Sequence, residues 1–176
     1  GVIAVSGSYP RAVEISKAAT SARVVTYAVN GKADYRADHE KFSPDGVSFR
    51  IHARDRKSAE LLLPMSGYHN IENATGVYAA ARSLGLTHEQ IAHGFRTFKG
   101  VKRRQEVRDE IGRVLVIDDF AHHPTAVRET IEGIRQRYPD RRLWAVFEPR
   151  SNTSRRNIHQ HDYVTALKGA DLATIR

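Results

Sequence analysis

Residues 100–125, GVKRRQEVRDEIGRVLVIDDFAHHPT, decide how this chain is organised. Val114 to Ile117 is an apolar run that reads as a buried strand, and it empties into Asp118, Asp119, Phe120, Ala121, His122, His123 and Pro124. Pro124 suits the first turn of a helix, where its missing N–H costs nothing. From Thr125 to Tyr138, Val127, Ile131, Ile134 and Tyr138 recur at spacings of four, three and four, one stripe of a helix. Titratable groups just past the carboxyl end of a buried strand, ahead of a helix, are where open α/β sheets hold ligands. Upstream, Arg103 and Arg104 lie in a turn-like segment.

Towards the C-terminus the alternation continues. Pro139-Asp140 breaks the helix, Leu143 to Phe147 forms a second apolar strand, and Glu148 to Thr153 is its polar exit. A looser helical pattern runs from Arg155 to Lys168, followed by a strand-like run from Asp171 to Arg176. Strand, helix, strand, helix, strand predicts a parallel sheet whose two polar exits open at one edge and face one ligand.

Towards the N-terminus, Val2 to Val5 reads as a strand. Ser6-Gly7-Ser8 is its exit and Pro10 opens a helix with Val13, Ile15, Ala18 and Ala19 on its apolar side. Arg23 to Val29 completes a βαβ unit, ended by Asn30-Gly31. Val47 to Ile51 and Leu61 to Leu63 are expected as an antiparallel pair, with Lys32 to Ser43 and Ala53 to Glu60 polar and exposed. Gly67 leads into a helix with apolar positions Ile71, Ala74, Val77, Ala81 and Leu84, stopped by Gly85. Thr87 to Gln90 is a capping box, and Phe95 and Phe98 are expected in the core. A domain boundary is expected at residues 100 to 102, giving 1–101 and 102–176. Both ends of the chain read as cuts through a sheet protein.

Of the 176 residues, 40% are hydrophobic, enough for a core, and no run approaches the roughly 18 apolar residues of a membrane span. Cysteine is absent, which removes disulfides and thiolate metal sites and fits a cytoplasmic protein. The net charge of +8 raises a basic nucleic-acid-binding module as an alternative class. The basic residues are scattered, however, and no RNP strand, zinc-finger spacing or basic zipper occurs. A small anionic ligand such as a nucleotide accounts for the charge with fewer assumptions.

Several residues carry candidate chemistry, each beside a plainer reading. Asp118 and Asp119 suit a ribose hydroxyl or a magnesium ion, or else form a surface pair. His122 and His123 could join Asp119, or His159 and His161, around zinc, but adjacent loop residues diverge and zinc sites favour wider spacings. His122 as a polar substrate contact and His123 as a structural hydrogen-bond partner fit better. Arg103 and Arg104 suit a phosphate clamp or an exposed linker. Asn70 and Asn73, three apart, could read an adenine edge or simply cap their helix. No Gly-x-x-x-x-Gly-Lys-Ser/Thr loop and no Gly-x-Ser-x-Gly elbow appears. On their own chemistry these residues can bind a nucleotide but show no complete catalytic apparatus.

GYHNIENATGVYAAARSLG (67–85), FKGVKRRQEV (98–107), VIDDFAHHPTAV (116–127) and FEPRSNTSRR (147–156), in this order, resemble the ATP-dependent Mur ligases of bacterial peptidoglycan metabolism. The likeness is strongest to the recycling branch, which joins UDP-N-acetylmuramate to L-alanyl-γ-D-glutamyl-meso-diaminopimelate. The biosynthetic branch that adds L-alanine is the alternative; Arg150 to Ser154 departs from its usual His-Arg-Phe-Thr-Arg type of stretch. The resemblance implies an α/β fold, the end of a central ATPase domain followed by the first part of a Rossmann-like domain with a mainly parallel sheet. It implies ATP and magnesium as cofactors, with phosphate loop and metal ligands upstream of Gly1 and no metal ligand here. His69, Asn70 and Asn73 would lie at the adenine, Arg104 at the phosphates as the catalytic contact, and Asp119 at the ribose. Phe120, His122, Arg150, Ser151 and Ser154 would border the acceptor. The reaction it implies passes through an acyl phosphate, with small-molecule substrates and neither nucleic acid nor membrane as partner. The 176 residues alone are expected to be inactive and to bind ATP weakly.

Overall fold

The computed structural model describes residues 1–19, 21–53, 58–150, 152 and 154–176, and the chain forms two compact units, Gly1–Lys99 and Gly100–Arg176. In the first, β1 (Val2–Ser6) pairs in parallel with β2 (Arg23–Val29) through helix α1 (Pro10–Ala18), which has Pro10 in its first turn. The sheet continues through β3 (Tyr35–Ser43), β4 (Gly46–Ala53) and β5 (Ala59–Leu63) in spatial order β1-β2-β3-β4-β5. β3 is parallel to β2, and the β3–β4 and β4–β5 pairs are antiparallel. The expected pairing of the fourth and fifth strands holds, with Val47 opposite Leu63 and Phe49 opposite Leu61.

β3 corrects the sequence reading, because residues 35–43 form the central strand instead of an exposed connection. Ala37 is fully buried against the core, while Asp38 on the other face accepts from His52 Nε2 at 2.8 Å and pairs with Arg36 at 2.9 Å. A bulge between Asp38 and Lys41, with His39 at φ 55°, interrupts the period-two pattern by which a strand is read. Ala53, Ala59 and Glu60 also belong to strands, and 54–57 lie outside the described residues.

Helices α2 (Tyr68–Ser83) and α3 (His88–Thr97) cover this sheet. Ile71, Ala74 and Tyr78 of α2, with Ile91, Ala92 and Phe95 of α3, bury against Ala37, Val47, Phe49, Ile51, Leu61 and Leu63. Each large side chain so buried contributes about 1.5–3 kcal/mol. The buried stripe of α2 runs through Thr75 and Tyr78, so Val77 (56% exposed) and Leu84 (82%) face outward. Phe98, at 39%, also lies outside the core. Gly76 sits where α2 meets β2: a Cβ there would lie 2.8 Å from the Tyr27 ring. Thr87 and Gln90 form the expected capping box of α3.

The second unit opens with an antiparallel pair, β6 (Glu106–Ile111) and β7 (Val114–Asp118), turned by Gly112 at φ 61°. β6 carries four charged residues in six, an exposed edge that a search for apolar strands passes over. Then follow α4 (Pro124–Arg137), β8 (Trp144–Phe147), a 3₁₀ turn (Asn157–His159), α5 (Gln160–Leu167) and β9 (Leu172–Ile175), the last parallel to β8. Val127 and Ile131 of α4 pack with Tyr163, Ala166 and Leu167 of α5 and with Leu143, Ala145 and Phe147. β7 and β8 are not hydrogen-bonded neighbours. Both line a cleft of about 400 Å³, together with the apolar side of α4. The α/β class expected from the sequence is the one observed, and among the described residues no helix is long and apolar enough to cross a membrane.

Candidate functional site

In the second unit the two polar strand exits line that one cleft, as expected: Asp118 at the end of β7 with Asp119 to His122 after it, and Glu148 with Arg150 after β8. Asp119 is half-buried at the turn out of β7. Its Oδ2 accepts from the Gln105 backbone N–H at 2.8 Å and its Oδ1 from that of Ala121 at 2.7 Å. A carboxylate offers about four lone-pair sites, so each oxygen keeps one for a ligand hydroxyl. Asp119 is therefore a brace of its own loop as well as a candidate contact. Gln105, buried between these segments, is a member that motif reading missed; only the distance to Asp119 reveals it.

The two arginines part company. Arg103 turns back towards Asp118, its Nε 3.5 Å from Oδ2. Arg104 is exposed and makes no ion pair with a described residue, which leaves its guanidinium fork for an anion. A clamp made by both arginines is not what the turn presents.

Phe120 and His122 are exposed and their rings pack edge to face at 5.2 Å. His122 Nδ1 lies 3.0 Å from the Phe120 carbonyl, which only accepts, so Nδ1 is the donor, and in the neutral tautomer that carries this proton Nε2 is the acceptor. His123 caps α4, its Nδ1 accepting from the Thr125 N–H at 3.3 Å, the structural role foreseen for it. The His123 and His159 rings pack at 5.2 Å, and His159 turns to Asp162 at 3.2 Å. Among the described residues no group of three or more His, Asp or Glu side chains is placed to hold a metal ion.

Across the cleft Arg150 pairs with Glu148 at 2.7 Å. The hydrogen bond from Arg150 holds the Glu148 carboxyl below its usual range and raises Arg150 in return. Ser151 lies outside the described residues. Ser154 is half-buried and bonds to the hydroxyl of Tyr163, a buried residue of α5 that sequence reading also missed. Burial raises the pKa of that hydroxyl above the usual tyrosine value.

The first unit holds the other candidates at the start of α2. Gly67, at φ 100°, a conformation reserved for glycine, precedes the helix without a side-chain cap. Neither asparagine is the N-cap. Asn70 is 8% exposed and its Nδ2 donates to the Ser66 carbonyl at 2.7 Å, a bond that does not use the acceptor Oδ1. Asn73 is exposed, so the two amides are not equivalent partners on one surface. His69 is half-buried and already engaged.

Comparison with known proteins gives two family matches: residues 2–81 match the Mur ligase middle domain, and residues 103–175 the glutamate ligase domain of Mur ligases. UDP-N-acetylmuramate–L-alanine ligase of Lactococcus lactis subsp. lactis (strain IL1403) is 38% identical over 146 residues, 83% of this chain and 33% of that protein. Among solved structures, the murein peptide ligase of Psychrobacter arcticus 273-4 is 34% identical, with a TM-score of 0.64, covering 99% of this chain and 37% of that one. The UDP-N-acetylmuramate–alanine ligase of Thermotoga maritima is 25% identical, with a TM-score of 0.74, covering 86% and 33%. The chain thus spans about a third of the length of the relatives it matches.

Proposed function

The chain belongs to the Mur ligase family, and from that membership we propose that it is the nucleotide- and acceptor-contacting portion of an ATP-dependent amide ligase acting on UDP-N-acetylmuramate. The observation that carries this is the order of the two family matches, the second of which contains the Arg104 turn and the Asp119, Phe120 and Arg150 loops. The middle domain is assigned to 1–101 and the acceptor domain to 102–176.

In the proposed reaction the muramyl carboxylate attacks the γ-phosphorus of ATP and ADP leaves. The acceptor amine then attacks the acyl carbon, a proton departs, and the C–O bond to phosphate breaks as the amide forms. Arg104 supplies a bidentate fork to the nucleotide phosphates, where charge develops in the transition state. The free lone pairs of Asp119 accept from the ribose hydroxyls. Asn70, through Oδ1, accepts from the adenine amino group, with His69 and Asn73 flanking it. Phe120 and the Nε2 acceptor of His122 border the incoming amine, with Arg150 and Ser154 on the other exit and Ser151 assigned by resemblance alone. Magnesium, when bound, neutralises phosphate charge; no residue of this chain is assigned to it. Without a phosphate loop, these 176 residues are inactive by themselves, and the whole enzyme works in the cytoplasm, where its nucleotide substrates reside.

The acceptor divides the readings. Free L-alanine is the better supported, because that activity names the curated relative at 38% identity. This departs from the recycling tripeptide that the motifs favour. The tripeptide remains the second reading because the murein peptide ligase of known structure is 34% identical over 99% of the chain. Mass spectrometry of the product formed by the full-length enzyme from UDP-N-acetylmuramate, ATP and an equimolar mixture of both acceptors decides. A product heavier by one alanine supports the first reading, one heavier by the tripeptide the second, and no amide product contradicts both.

A further inference from the structure

Arg104 is flanked by Arg103 at φ 59° and Gln105 at φ 48°, both left-handed conformations that side chains with a Cβ disfavour. Such a turn persists only when its surroundings hold it. The holding contacts come largely from the loop after β7. The Arg103 carbonyl accepts from the Phe120 N–H at 2.8 Å, and the Gln105 N–H donates to Asp119 at 2.8 Å. The Arg103 guanidinium stands 4.9 Å from the Phe120 ring centroid while its Nε faces Asp118 at 3.5 Å. On the turn's own side, the Arg103 N–H donates to Glu106 Oε2 at 2.8 Å. Arg103 therefore grips Phe120 twice, through backbone and through ring, and its neighbour Arg104 is left exposed on the same turn.

We propose that Arg103 is a positioning residue that fastens the Arg104 turn to the Phe120 loop, so that nucleotide and acceptor amine reinforce each other's binding. This rests on the assignment of Arg104 to the phosphates and Phe120 to the acceptor. Two segments fastened together are ordered once. Whichever ligand binds first bears the entropy of ordering both, and the second binds to a piece already in place. The reinforcement is reciprocal in binding free energy.

The test is equilibrium binding of a non-hydrolysable ATP analogue to the full-length enzyme with magnesium and UDP-N-acetylmuramate, measured by calorimetry without acceptor and at saturating acceptor, using whichever of L-alanine or the tripeptide supports turnover. The nucleotide Kd without acceptor is expected to exceed that with it by about fivefold or more. Arg103→Met is expected to raise both Kd values and bring the ratio to about one, the value for uncoupled sites. Arg103→Lys, which keeps a cation over the ring, restores part of the ratio. If Arg103→Met does not fold, Phe120→Leu removes the ring alone and must lower the ratio as well. A wild-type ratio of about one, or an unchanged ratio in the foldable variant, overturns the coupling. Arg104→Met separates the two levels. If it leaves the nucleotide Kd unchanged, the phosphate assignment falls and the coupling with it. If it raises that Kd while Arg103→Met leaves the ratio intact, the assignment stands and the coupling alone is overturned.

Discussion

The Tyr163 hydroxyl donates to the His122 carbonyl, and this single bond ties helix α5 to the loop that leaves β7. The same hydroxyl bonds Ser154, so one buried phenol joins both strand exits that line the cleft. Tyr163 also packs its ring on Phe147 at 5.0 Å, which fixes where the hydroxyl points. Tyr163→Phe keeps the ring and removes the bond. It is expected to cost about 1 kcal/mol in urea denaturation and to raise the acceptor KM several-fold, well beyond any rise in the ATP KM. Equal rises in both KM values would contradict a role confined to the acceptor loops.

Asp119 braces two backbone N–H groups with two oxygens, so Asp119→Asn necessarily turns an amide NH₂ towards one of them. The expected loss is about 1–3 kcal/mol of stability, from an unsatisfied and repelled donor. A higher ATP KM should accompany it. A stable variant with only the KM changed would make Asp119 a ligand contact and not a brace.

Gly76 is required by shape. Gly76→Ala places a methyl group 2.8 Å from the Tyr27 ring, so either the ring or helix α2 must shift. A destabilisation of about 1–3 kcal/mol is expected from such overpacking, read by thermal or urea unfolding. Tyr27→Leu in the same chain should recover part of it, and an unaffected single variant would show that the ring swings aside freely.

Asp38 makes stability depend on acid. Burial works against its ionised form, but the hydrogen bond from His52 and the nearby charges of Arg36 and His39 outweigh it and hold the carboxyl below its ordinary value. A depressed carboxylate stabilises the fold above its unfolded pKa of about 3.9 and loses that contribution as pH falls through the folded value. Asp38→Asn should therefore lower stability by about 1 kcal/mol at neutral pH and flatten the decline below about pH 4. An unaltered acid limb would remove Asp38 from the account.

Much of this was legible because period and punctuation agreed. Pro10, Pro124, Gly85 and the Thr87–Gln90 box mark helix ends by local chemistry that tertiary structure leaves alone. β3 was not legible because its bulge breaks the alternation and its outward polar residues satisfy each other across strands, Asp38 with His52. β6 hid because an edge strand carries charge to stay unpaired on its outer side. At the site, residue types could nominate Asp119 and Arg104, but nothing in a linear string says that Arg103 folds back or that Gln105 and Tyr163 serve the same loops. Those are facts of long-range geometry.

The central claim is tested most directly by phosphate release from the full-length enzyme supplied with ATP, magnesium and UDP-N-acetylmuramate, with L-alanine or the tripeptide added separately. Release that requires the nucleotide sugar and one of these amines, and that falls through a raised ATP KM in Arg104→Met, is the expected result. Release indifferent to both substrates, or no turnover with either amine, would contradict it.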